Sequence, residues 1–134
     1  FCFCCVCPQL VGIPMGVVGE MVRMPFALKA NLATPFSKAR LMEEWQKLDL
    51  APELYDKKVS EQSGGQRQRT IISPRGLLKK TIVLADEPTS ALDAHTTALV
   101  LAYFKALAAG GATVITVSHD PAFTDGCDKK VVTA

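Results

Sequence analysis

Asp86 and Glu87 are adjacent carboxylates that follow directly on the apolar run Thr81 to Ala85. A buried strand over that run delivers both to its carboxyl end, where open α/β sheets bind ligands. Neighbouring strand residues point to opposite faces, so the two carboxylates have different tasks. One can hold a hard cation such as Mg2+, which prefers oxygen ligands and keeps several waters. The other can orient or deprotonate a water for attack on a phosphate. An isolated Asp-Glu pair is most often a solvated turn. Here the apolar run before it and Pro88-Thr89-Ser90-Ala91-Leu92-Asp93 after it favour the chemical reading.

Ser63-Gly64-Gly65 precedes the polar, helix-forming stretch Gln66-Arg67-Gln68-Arg69. Ser63 can cap that helix, and the two glycines let bare backbone N–H groups approach an anion. The helix dipole favours negative charge at the same end. His119 ends another apolar run, Thr113 to Ser118, and is followed by Asp120-Pro121. At the carboxyl end of a parallel strand, beside the acidic pair, it can meet a γ-phosphate or its attacking water. Gln9 holds the matching place after the first apolar run and could reach metal and water alike.

These groups need strands to deliver them. Phe1 to Cys7 reads as a continuously apolar strand of a parallel sheet, ended by Pro8-Gln9. Val18, Met21, Val22 and Phe26 have helical spacing, with Pro25 expected to kink or end the helix. Thr34-Pro35 is the expected cap of the next helix, whose apolar face is Leu41, Trp45 and Leu48. Ala51-Pro52-Glu53 starts another short helix. Past the glycine turn, Ser73-Pro74 stops or bends the helix, because an interior proline costs about 3 kcal/mol. His95 to Leu107 is an amphipathic helix with Leu99, Tyr103 and Leu107 aligned and Gly110-Gly111 closing it. Lys130 to Thr133 is a fourth strand. Strands alternating with helices predict an α/β fold with a mostly parallel sheet.

The composition is that of an ordinary globular chain: 134 residues, 49% hydrophobic, 21% charged and net charge +2. Scattered Lys and Arg leave no electrostatic footprint for nucleic acid. The opening apolar run lacks a basic leader and is broken by Pro8, Gly12 and Pro14. That pattern fits neither a signal peptide nor a membrane span of about 20 residues. Opening on Phe1 in mid-pattern, the chain reads as lacking an N-terminal part. Cys2, Cys4, Cys5 and Cys7 could form a thiolate metal site, but C-x-C-C-x-C lacks paired C-x2-C knuckles. Buried small hydrophobes in a reducing compartment is the simpler account.

Together the motifs resemble the ATP-binding subunits of ABC transporters. Ser63-Gly64-Gly65-Gln66 is similar to the signature loop, and Ile82 to Asp86 with Glu87 to the Walker B strand and catalytic glutamate. Ser90-Ala91-Leu92-Asp93 resembles the D-loop, His119 the switch histidine and Pro8-Gln9 the Q-loop. The compact helical part with Met24-Pro25-Phe26 is most similar to small bacterial exporters of the iron-export type. The resemblance implies a P-loop NTPase fold with residues 1–12 as Q-loop strand and loop, 13–80 as a helical subdomain carrying the signature, and 81–134 as the remaining α/β portion.

It also implies a cytoplasmic ATPase, peripheral on the inner face of the membrane, that dimerises head to tail and meets a membrane permease. Asp86 and Gln9 would then hold Mg2+, Glu87 would polarise the attacking water and His119 would contact the γ-phosphate of ATP. Ser63, Gly64, Gly65, Gln66 and Asp93 would serve nucleotide binding across the dimer. There are departures. No G-x-x-x-x-G-K-[ST] phosphate loop occurs among the 134 residues, so the core is expected to be incomplete. Gln62 stands where the signature has leucine, and Ser73-Pro74-Arg75-Gly76 interrupts a helix that is continuous in the family. A degenerate, non-catalytic regulatory module is the alternative. A DNA-repair or chromosome-organising ATPase is disfavoured, because no heptad run lies between Gln9 and Ser63.

Overall fold

The computed structural model describes residues 4–7, 16–27 and 31–132. Three strands form one parallel sheet in the order β1-β2-β3: β1 (Cys4–Cys7), β2 (Ile82–Asp86) and β3 (Thr113–Val117). Register pairs Cys7 with Ala85 and Asp86 with Val117, so all three strands end at one edge. Parallel strands need crossovers. Between β2 and β3 the crossover is helix α5 (Ala94–Ala109); between β1 and β2 it is the whole helical part.

That part contains α1 (Val18–Arg23), α2 (Lys38–Lys47), α3 (Gly64–Ile72) and α4 (Pro74–Leu78). At Pro25 the chain passes from α1 into a 3-10 turn, Met24–Ala27. Ser37, not Thr34, caps α2: its hydroxyl accepts from the Arg40 amide, while the Thr34 amide is spent on a turn back to Asn31. The expected face of α2 holds, with Leu41, Trp45 and Leu48 all fully buried. A 3-10 turn over Pro52–Asp56 follows.

At Ser73-Pro74 the helix bends without ending its right-handed path. Ser73 keeps helical backbone angles and α4 starts with Pro74. Proline offers no N–H to the Thr70 carbonyl one turn back. The Ser73 hydroxyl donates to that carbonyl at 2.7 Å and also accepts from Trp45 Nε1 at 3.0 Å. Tyr103 of α5 donates its hydroxyl to the Ser73 carbonyl at 3.3 Å. The serine thus replaces the bond that proline removes and ties three helices together.

Two expectations change. Helix α5 buries Thr97, Val100, Tyr103 and Phe104, so its inner face lies to one side of the predicted Leu99-Tyr103-Leu107 stripe. Leu99 sits half-buried at the flank. No strand forms over residues 130–132: Val131 and Val132 are exposed and join neither edge of the three-stranded sheet, although the outer edge of β3 is open among the described residues. Thr133 and the side chains of the N-terminal cysteines lie outside the described residues. One hydrophobic cluster runs from Val18, Trp45 and Leu48 through Ile72 to Val83, Ala85, Phe104 and Phe123. It joins the helical part to one face of the sheet.

Candidate functional site

Asp86 closes β2 as an exposed residue, and Glu87 leaves the strand in the left-handed region at φ +47°. Glu87 therefore lies past the end of β2 with its backbone turned out of the extended conformation, so strand alternation does not set the direction of its side chain. The Glu87 amide still donates to the Val117 carbonyl at 2.8 Å, extending the ladder by one bond. His119 leaves β3 two residues further on, and its Nε2 stands 3.6 Å from Glu87 Oε1. Acid and imidazole thus meet across the ends of neighbouring parallel strands.

Buried polar contacts hold the two loops together. Thr89, 3% exposed, donates its hydroxyl to Asp120 Oδ2 at 3.2 Å. Asp120 Oδ1 accepts from the Ala122 amide and caps helix α6 (Pro121–Thr124). Gln68 of α3, 5% exposed, donates from Nε2 to the Glu87 carbonyl at 2.7 Å and to Ser90 Oγ at 3.4 Å. Its Oε1 accepts from the Ala91 amide at 3.0 Å.

The glycine turn leans on the same loop. A side chain at Gly64 would come within 3.4 Å of Ala91 Cβ, and one at Gly65 within 3.3 Å of the Ala91 carbonyl and of Leu92. Ser63 and Gln66 form a reciprocal cap: the Gln66 amide donates to Ser63 Oγ at 3.1 Å, and Gln66 Oε1 accepts from the Ser63 amide at 3.0 Å. The Ser63 hydroxyl proton and Gln66 Nε2 are not used in that cap. Asp93 caps α5. Hydrogen bonds from the Thr96 amide and then the Thr96 hydroxyl hold its carboxyl below the ordinary 3.8. Buried Arg69 donates to the carbonyls of Leu48, Asp49 and Gly65, and burial lowers its guanidinium pKa below the ordinary arginine value. Gln62, in place of a leucine, donates to Thr70 Oγ1 at 2.9 Å from a buried position. Gln9 lies outside the described residues.

No protein-family model matches the chain. It is 41% identical over 110 residues to a macrolide export ATP-binding/permease protein, MacB 1, of Aeromonas hydrophila subsp. hydrophila, covering 82% of this chain and 17% of that protein. The dimeric structure of MJ0796, a bacterial ABC transporter cassette, superimposes with a TM-score of 0.77 at 27% identity, covering 90% of this chain and 54% of the cassette. This segment belongs to the ABC ATPases. A post-hydrolysis dimer of the same cassette, bound to ADP and Pi, matches with a TM-score of 0.74 at 28% identity over 87% of this chain and 52% of that one.

The ABC ATPase segment thus spans about half of a cassette and a sixth of the curated relative. Its fold is the P-loop NTPase type expected from the motifs. Among the described residues, no helix is long and apolar enough to cross a membrane. Sequence reading passed over Gln68, Thr89 and Asp120 as individuals. Gln68 stands one helical turn after Gly64, so it shares the glycine face; that spacing was the available signal.

Proposed function

We propose that this segment supplies the hydrolytic carboxylate and the signature loop of an ATPase that drives transport through a membrane permease. The observation that supports it best is the Glu87–His119 approach of 3.6 Å at the carboxyl ends of β2 and β3. Mg2+ suits the exposed Asp86 carboxylate, because this ion takes one or two carboxylates, phosphate oxygens and waters rather than a protein cage. Among the described residues, no group of three or more His, Cys, Asp or Glu could cage a metal. Asp86, with Gln9 as the motif resemblance implies, would hold the ion, which would neutralise charge on the phosphate oxygens.

Glu87 accepts a proton at Oε1 from the attacking water and orients it, while His119 Nε2 faces the terminal phosphate. The glycine turn that opens α3 and the Ser63 hydroxyl serve a different site from the Glu87 carboxylate. They cover the nucleotide held by a second, head-to-tail subunit. Gln66 Nε2 can reinforce that contact, and Asp93 fixes the loop beside it. Such a subunit sits on the cytoplasmic face of the membrane.

With no phosphate loop in its sequence, the 134-residue chain alone should show no micromolar ATP binding by calorimetry. Joined behind the phosphate-loop half of a related cassette, it should hydrolyse ATP, and Glu87→Gln should lower kcat by about 10²-fold or more. Wild-type hydrolysis no faster than Glu87→Gln would overturn the reading in favour of a regulatory module.

A further inference from the structure

Gln68 makes three contacts from one buried amide, and all of them go to a single loop of another element. Nε2 holds the Glu87 carbonyl at 2.7 Å and Ser90 Oγ at 3.4 Å, and Oε1 holds the Ala91 amide at 3.0 Å. Glu87 needs holding, because a non-glycine residue at φ +47° sits in a conformation that costs about 1–3 kcal/mol and persists only where its surroundings enforce it. One side of the turn is enforced by the ladder bond to Val117. The other side is enforced by Gln68.

We propose that Gln68 is a positioning residue that sets the aim of Glu87 on His119 and locks the 87–91 loop to the glycine-turn helix. The role rests on the hydrolytic reading of Glu87. Its geometry points to coupling: α3 carries Gly64 and Gly65 against Ala91, so a shift of the glycine turn is transmitted through Gln68 to the Glu87 backbone. A nucleotide gripped by the turn can thereby bias the carboxylate of its own chain.

The test uses NMR on the 134-residue chain, without nucleotide. Gln68→Met keeps the side-chain length and removes both hydrogen-bonding groups. Exchange of the Ala91 amide should accelerate roughly fivefold, the loss of one ordinary hydrogen bond. In the wild-type background, Glu87→Gln should shift the His119 ring resonances; in the Gln68→Met background that shift should vanish. Gln68→Glu retains an acceptor for Ala91 and loses the donor to the Glu87 carbonyl. It should keep Ala91 protected yet still abolish the His119 response, and it serves if the methionine variant fails to fold. An unchanged His119 response in either variant would overturn the proposal. Failure of ATP hydrolysis alone would instead count against the function proposed above, since neither readout involves nucleotide.

Discussion

Glu87 carries the sharpest conflict between stability and use in this chain. Its backbone is left-handed at φ +47°, a region where asparagine is far more at ease than a glutamate. A residue chosen for stability would be Asn or Gly; the carboxylate beside His119 is the reason for a Glu. Glu87→Asn should therefore raise the melting temperature by about 2–4 °C, the effect of relieving ~1 kcal/mol of strain, while removing the acid. A melting temperature at or below wild type in a thermal scan would show that the turn is not strained. Asp93 has a simpler task. It is exposed and bonded to Thr96 at both carboxylate-accepting contacts, so its depressed pKa marks a helix cap.

Among the elements, the α3–α4 junction is where local preference and tertiary need diverge. Pro74 withdraws an N–H from the middle of what would be one helix, yet both halves remain helical. Ser73, fully buried, makes this affordable by donating to Thr70 and accepting from Trp45. Ser73→Ala would leave the Thr70 carbonyl and the indole N–H unpaired in the core. Each buried unpaired group costs about 1–3 kcal/mol, so a loss of roughly 3 kcal/mol is expected. Urea unfolding followed through Trp45 should show the midpoint falling at constant slope. A midpoint unchanged in Ser73→Ala would mean that Pro74 is tolerated for another reason.

At the scale of the molecule, the sheet is covered on one face only among the described residues. Val83 and Ala85 are buried under the helices, whereas Ile82, Ile115 and Val117 on the opposite face are 38%, 52% and 59% exposed. Parallel sheets normally bury both faces. The chain on its own should bind a hydrophobic dye and self-associate at micromolar concentration in sedimentation runs. Ile115→Thr with Val117→Thr should reduce both; dye binding that persists undiminished would locate the exposed surface elsewhere.

Much of this was written locally. The alternation of apolar runs with helical periodicity determined the α/β class, and Ser63-Gly64-Gly65, Asp86-Glu87 and His119 could be picked out by type and spacing, because capping, glycine turns and strand ends are short-range physics. The sequence also placed a break at Pro74. Only the tertiary structure decided how that break is healed, since Trp45 lies 28 residues from Ser73 and Tyr103 lies 30. The absence of the expected strand at residues 130–132 belongs with these, because apolar residue type alone does not settle whether a segment joins a ladder. Likewise the left-handed Glu87 and its tether to Gln68 depend on β3 and α3 closing on the loop from two sides. A backbone angle that local preference disfavours has no local signal; it is imposed by what packs around it.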